Sequence, residues 1–185
     1  MITASHLKYE KFNYPCGETH VMIVESYQYF TNILFEYEND AEIIELLLLR
    51  DAMRRKNIVL RNLLIPYVPF SRQDRVINKG ETLSLKVFCD LINSLEAELV
   101  EIVDPHSDVT PALIKNVHII PQWEIFQWWI ELEGKKEIAL VSPDLGASKK
   151  IYELAKLIAP NGIIQFTKKR NSLTGKITGV ESQTS

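Results

Sequence analysis

The chain has 185 residues, 46% of them hydrophobic and 24% charged, with a formal net charge of −3 and a pI near 5.8. These figures suit one globular domain with a sizeable core. They argue against a general nucleic-acid binder, which carries a basic excess.

The opening MITASHLKYE lacks the apolar core of a signal peptide. Cys16 and Cys89 lack metal-ligand spacing, so both are expected as packing thiols in a reducing cytoplasm. Residues 19–26 (THVMIVES) read as a strand. Residues 39–56 read as a helix, with Asn39 or Asp40 to cap its first turn and Arg54, Arg55 and Lys56 in its last turn, where the dipole favours cations. Ile43, Leu46, Leu47 and Arg50 keep helical spacing on a broad apolar face. The apolar run Leu46 to Leu49 is far too short to span a bilayer, so no membrane partner is expected. Residues 57–67 (NIVLRNLLIPY) read as a strand stopped by Pro66.

Residues 80–95 read as a helix, with Leu85, Phe88, Leu91, Ile92 and Leu95 on one face. A strand over 98–104, a short helix over 107–115 and a short strand over 117–121 follow. Residues 123–133 form a helix carrying Trp123, Trp128 and Trp129. Adjacent tryptophans point different ways on a helix, which favours core packing or a subunit contact over base stacking. A strand over 137–142, a helix over 146–158 and a strand over 162–168 come next. Residues 172–180 alternate as the start of a hairpin.

Strands alternating with helices predict an α/β fold: a mostly parallel sheet with helices on both faces. Ligands of such sheets bind at the carboxyl ends of strands. Four strand ends carry chemistry: Arg72-Gln73-Asp74-Arg75, Asp104 to Asp108, Ser142 to Ser148, and Thr167 to Asn171. Guanidiniums grip phosphate oxygens in fork geometry, and carboxylates hold a divalent cation through waters. Each cluster alone also has a plain structural reading. Arg72 to Arg75 would serve as a surface ion-pair cluster. His106 would be a hydrogen-bonded structural histidine, Asp144 a helix cap, and Lys168 to Arg170 a solvated basic run. Four clusters at one edge of one sheet favour a phosphate ligand with a metal.

The ordered motifs resemble the ribose-phosphate diphosphokinases (PRPP synthases). NDAEIIELLLL followed by PY and SRQDR is similar to the family's Asn-Asp, Glu-Leu-Leu helix, Pro-Tyr and Arg-Gln-Asp-Arg block. VDPHS resembles its Val-Asp-Leu-His stretch, VSPDLGASKK its Ser-Pro-Asp-x-Gly-Gly turn, and TKKR the Lys-x-Arg at the root of its mobile catalytic loop. YPCGETHV resembles an aromatic-x-x-Gly-Glu stretch that reaches a neighbouring subunit's ATP. The resemblance implies transfer of the diphosphate of Mg²⁺-ATP to ribose 5-phosphate, giving PRPP and AMP. It assigns Arg72 and Gln73 to ATP, and Tyr14 and Glu18 to the adenosine of an adjacent subunit. It places His106 and Asp144 at the Mg²⁺-ATP, and Lys168 and Arg170 at the moving diphosphate. It therefore implies a homo-oligomer. Magnesium prefers oxygen, so His106 also suits a phosphate or a metal-bound water.

Departures from the family pattern are equally specific. Ala147 replaces the second glycine of the turn, and Pro105 replaces the leucine before the histidine. A further strand and helix precede the Gly-Glu stretch in the family. The sequence stops at ITGVESQTS, before the Asp-Asp and Thr-x-x-Gly-Thr-like loop that grips ribose 5-phosphate. The expected architecture is a phosphoribosyltransferase-like fold incomplete at both ends. Residues 1–185 would hold the N-terminal domain and the start of the catalytic loop hairpin at about 168–180, without the C-terminal domain and its PRPP loop. Two roles follow: an incomplete diphosphokinase, or a non-catalytic regulatory or assembly subunit of one.

Overall fold

A computed structural model describes residues 1–134, 137–170 and 176–184. They form two compact units, Met1–Ile120 and Pro121–Ser185.

The first unit contains β1 (Ile2–Ala4), β2 (Leu7–Asn13), β3 (Thr19–Ser26), β4 (Phe30–Phe35), α1 (Ala41–Arg55), β5 (Val59–Ile65), α2 (Ser84–Ser94), β6 (Leu99–Val103), α3 (Val109–Leu113) and β7 (Val117–Ile120). Its five-stranded sheet runs β1-β4-β5-β6-β7. The pairings from β4 to β7 are parallel, and β1 lies antiparallel on the β4 edge. Alternate residues face the core, as the strand repeat requires: Thr31, Ile33 and Phe35 on β4, Leu63 and Ile65 on β5, Val100 and Ile102 on β6. The apolar face predicted for 80–95 is realised in α2, where Leu85, Phe88 and Ile92 are buried and Leu91 packs against the same cluster.

The strand at 19–26 has the predicted bounds but lies outside the parallel sheet. It is β3, and it pairs antiparallel with β2 in a separate two-stranded ribbon. The strand that precedes α1 in the central sheet is β4. The ribbon lies on α1 through Leu7, Val21 and Ile23. Buried Glu45 of α1 accepts hydrogen bonds from the Tyr9 hydroxyl (2.9 Å) and the Lys11 ammonium (2.6 Å). A buried carboxylate is tolerable only with such partners, so Glu45 latches the ribbon to the helix. Asn39 supplies the start of α1, accepting from the Ala41 N–H at 3.1 Å, while Asp40 accepts from the Tyr37 hydroxyl.

Two arginines of α1 serve the end of α2. Arg50 is buried, and its guanidinium donates to the carbonyls of Leu95 (2.5 Å) and Ile58 (3.3 Å). Arg54 donates to the Ser94 carbonyl (2.7 Å) and to Glu96 (2.9 Å). The Ser94 and Leu95 carbonyls belong to the end of α2, where helix carbonyls lack an intrahelical partner, while Ile58 lies just before β5. Cys89 is fully buried in α2, and burial pushes its thiol up to about 11. Cys16 departs from the expected packing role: it sits exposed in the ribbon's turn.

The second unit contains α4 (Gln122–Glu133), β8 (Ala139–Ser142), a 3₁₀ turn (Leu145–Ala147), α5 (Ser148–Ile158), β9 (Gly162–Arg170) and β10 (Ile177–Thr184). Its sheet runs β10-β9-β8, with β8 parallel to β9 and β10 antiparallel to it. The predicted loop hairpin at about 168–180 includes residues 171–175, which lie outside the described residues. The four strand ends of interest thus divide between two sheets, because β8 finds its partner in β9 and not in the central sheet. The tryptophans of α4 are not core residues: Trp128 is 63% exposed, and none of this helix's residues is buried. Among the described residues, no helix is long and apolar enough to cross a membrane.

Candidate functional site

The first unit places Arg72 and Gln73 in a tight turn after β5. Phe70 enters it with φ +60°, an uncommon value for a bulky side chain. Its ring is held between those of Tyr37 and Phe88, at 6.1 and 6.2 Å. The Gln73 N–H donates to the Phe70 carbonyl at 2.8 Å, and the Leu85 N–H at the start of α2 donates to the Gln73 carbonyl at 3.4 Å. The turn is thereby fixed at both ends while the side chains of Arg72 and Gln73 stay exposed. They line an open cleft of about 330 Å³ with Arg75, Ile77, Glu81 and Thr82. Glu81 closes the far side, accepting from the backbone N–H groups of Ile77 and Asn78, each at 3.0 Å.

Asp74 points the other way, with a side chain only 4% exposed. It accepts from the Arg75 guanidinium at 2.8 and 3.3 Å. That pairing first, with the charge of His106 adding to it, holds its carboxyl down at about 2. The loop after β6 that carries His106 therefore meets the loop after β5. These strands are parallel neighbours, with Ile65 opposite Ile102. His106 itself is exposed. An unfolded aspartate titrates near about 3.9, so a carboxyl held lower when folded stabilises the fold above that value and stops doing so as pH falls toward 2. Thermal midpoints measured from pH 6 to pH 2 should fall in the lower part of that interval. Asp74→Asn should flatten that fall.

Tyr14 and Glu18 lie at the tip of the β2–β3 ribbon. The Tyr14 N–H donates to the Glu18 carbonyl and the Gly17 N–H to the Tyr14 carbonyl, both at 2.8 Å. Gly17 takes φ +92°, which a side chain would resist. Tyr14 is exposed and sits edge-on to Phe12, with ring centres 5.0 Å apart; Phe12 in turn lies 4.8 Å from His20. Phe12 and His20 were not predicted as part of this group. The signal was present in their opposition across a hairpin closed by Cys16-Gly17, but β2 carries too many charges to stand out as a strand.

In the second unit the structure brings Asp144 and Lys168 together. Lys168 Nζ donates to Asp144 Oδ2 at 2.8 Å, and Asp144 Oδ1 accepts from the Ala147 N–H at 3.2 Å. The cap predicted as one reading of Asp144 is thus present, on the 3₁₀ turn. Ser142, fully buried, donates to the Asp144 carbonyl at 2.9 Å, and Ser148 donates to Gln165 at 2.8 Å. The Lys168 ammonium is the main reason the Asp144 carboxyl is held below its usual range. A side chain on Gly146 would put its Cβ 3.3 Å from Asp144 Oδ1, so that carboxylate would have to give by a few tenths of an ångström. The side chain of Arg170, and Asn171, lie outside the described residues.

Residues 6–95 match the N-terminal domain of ribose phosphate pyrophosphokinase. The chain is 31% identical over 166 residues to a ribose-phosphate pyrophosphokinase of Pyrococcus furiosus, covering 87% of this chain and 57% of that protein. It is also 31% identical over 174 residues to that of Thermococcus kodakarensis, covering 92% of this chain and 61% of that protein. The crystal structure of phosphoribosylpyrophosphate synthetase from Mycobacterium smegmatis superimposes with a TM-score of 0.68 at 20% identity, over 94% of this chain and 59% of that one. The chain thus spans between half and two thirds of the length of these relatives, and its fold is of the phosphoribosyltransferase type. By its ordered motifs, its matched domain and these relatives, the chain is similar to ribose-phosphate pyrophosphokinases, with residues 6–95 matching their N-terminal domain.

Proposed function

We propose that this chain is the nucleotide-holding portion of a ribose-phosphate pyrophosphokinase, the enzyme type that moves the diphosphate of ATP to the anomeric hydroxyl of ribose 5-phosphate. The observation that carries the reading is the cleft after β5, where Arg72 and Arg75 flank Gln73 on a turn pinned at both ends. Diphosphate transfer asks a protein chiefly for positioning and charge neutralisation. Arg72 presents a planar fork of donors to phosphate oxygens, and Gln73 supplies an amide beside it. Lys168, with Arg170 two residues on, would meet the negative charge of the departing diphosphate. Tyr14 and Glu18 would close the adenosine site of a neighbouring copy, so the working unit is a homo-oligomer in the cytoplasm.

Magnesium fits this donor set as a cation carried by the nucleotide. Among the described residues, no three of His, Cys, Asp or Glu gather into a cage for a metal. Magnesium seldom needs one, because it keeps waters and binds through one or two carboxylates plus substrate phosphates. Asp144 offers such a carboxylate on a turn that Gly146 leaves open. When bound, the cation would neutralise phosphate oxygens; His106 suits a phosphate or a water of its shell.

The test is calorimetric and enzymatic. The purified chain should bind ATP in the presence of Mg²⁺, and should release no AMP when ribose 5-phosphate is added. The motif that would grip the acceptor does not occur in these 185 residues. Absence of any nucleotide binding would sink the reading. Nucleotide binding that survives in the complete assembly without turnover would favour the non-catalytic assembly subunit.

A further inference from the structure

The β2–β3 ribbon is held to α1 at few points, and a two-stranded ribbon has little stability of its own in water. Its inward apolar side chains, Leu7, Val21 and Ile23, are buried in the core cluster. Lys11 and Val21 are register partners, and theirs is the last rung on which a ribbon residue is buried; from Phe12 to His20 none is. A cleft of about 200 Å³ opens there, with Thr19 and His20 on the ribbon side and Asp51 and Arg55 on α1. At that last rung the Lys11 ammonium donates to Glu45 Oε2 at 2.6 Å, and two residues back the Tyr9 hydroxyl donates to Oε1 at 2.9 Å. Burial first, then the carboxylate beside it, push the Tyr9 hydroxyl up, so it stays protonated and donating. Both oxygens of one buried carboxylate are thus engaged by the same strand. Tyr14 lies three residues past Lys11, about 10 Å along the strand. Glu18 meets it across the turn.

We propose that Glu45 is a positioning residue for the nucleoside: by fixing the strand at Tyr9 and Lys11 it sets where the ribbon tip carries Tyr14 and Glu18, and so how well that tip meets the adenosine held by a neighbouring copy. The proposal rests on the reading of Tyr14 and Glu18 as adenosine contacts. The tip has no buried side chain of its own, so a tilt at the latch is carried undamped to the Tyr14 ring. Arg72 stands on a different turn, pinned by the backbone bonds of Gln73, and its grip on phosphate does not pass through Glu45. Loss of the latch therefore removes the nucleoside part of the affinity and spares the phosphate part.

Calorimetric titration of the purified chain with ATP and with inorganic tripolyphosphate, both in Mg²⁺, tests this without any turnover. The unaltered chain should bind ATP more tightly than tripolyphosphate, which offers the phosphates without the nucleoside, and Tyr14→Ala should erase that excess. Glu45→Gln turns an amide donor toward the Lys11 ammonium; it should weaken ATP binding about tenfold, the worth of an aromatic stack on a base, and leave tripolyphosphate within about twofold. Lys11→Met breaks the same contact from the ribbon side with α1 unaltered; it should show the same split, and it decides the matter where Glu45→Gln does not fold. If both ligands lose affinity alike, Glu45 serves the fold as a whole and the proposal is overturned. It is equally overturned if Tyr14→Ala erases the excess for ATP while the latch variants keep it, and the role of Tyr14 then stands. If the unaltered chain shows no such excess, or Tyr14→Ala keeps it, the adenosine reading itself falls and the proposal with it.

Discussion

Arg72→Ala is expected to weaken Mg²⁺-ATP binding by roughly tenfold or more, since a charge-assisted hydrogen bond to phosphate contributes about 1.5–3 kcal/mol and each 1.4 kcal/mol is a factor of ten. The same change should leave the thermal midpoint within about 2 °C, because substitutions of exposed side chains outside buried networks are nearly neutral. Arg72 makes this clean separation because the turn is held by backbone bonds of Gln73 and by the Phe70 ring, and not by the guanidinium. Arg72→Lys should recover only part of the loss, since an ammonium is a point charge without the fork. Calorimetric titration beside a thermal melt decides the matter. A collapse of stability with unchanged affinity would return Arg72 to the surface ion-pair reading.

Arg50→Ala should do the reverse. Its guanidinium donates to two carbonyls, those of Leu95 and Ile58, and its stem fills space between α1 and the end of α2. Buried acceptors left without a donor cost about 1–3 kcal/mol each, so a loss of about 3 kcal/mol and a fall of about 6–12 °C in thermal midpoint are expected. Arg50→Met should recover the packing part and not the hydrogen bonds, giving an intermediate melt. Nucleotide affinity should be spared at temperatures where the variant is folded. Ile58 precedes β5 and Arg72 follows it, and a seven-residue strand separates its two ends by about 20 Å. Urea denaturation midpoints, read with ATP affinity at low temperature, would show whether the two ends of the sheet are independent.

How much of this was legible in the residues depended on how local the signal was. The helix α2 announced itself through Leu85, Phe88, Ile92 and Leu95, because one helix face is written in consecutive turns. The placement of Arg72 and Gln73 after a strand followed from the branched run that ends at Pro66. The strand β3 had the right bounds, but its place outside the parallel sheet was not legible. Its pairing with β2 depends on a hairpin whose other arm, Leu7–Asn13, alternates lysines and glutamate with aromatics. The strand β4 was missed because Thr31 and Asn32 interrupt its apolar run, although Thr31 is fully buried. The division of the strand ends between two sheets, and the meeting of Asp144 with Lys168, come from register between segments more than twenty residues apart. No periodicity within either segment carries that information. For the tryptophans of α4 the sequence left core packing and a subunit contact open, and the exposure of Trp128 removes the first.

The contrast between the chain's two thiols has a practical meaning. Cys16 sits in the open ribbon turn, whereas Cys89 is sealed inside α2 with its ionisation suppressed. A thiolate is the reactive form, and a buried thiol reacts only when the surrounding structure opens. An alkylating reagent thus meets a fast target and a slow one in the same molecule. The slow reaction times the opening of the helix that anchors the turn of Arg72 and Gln73, and the fast one supplies the reference for reagent and pH.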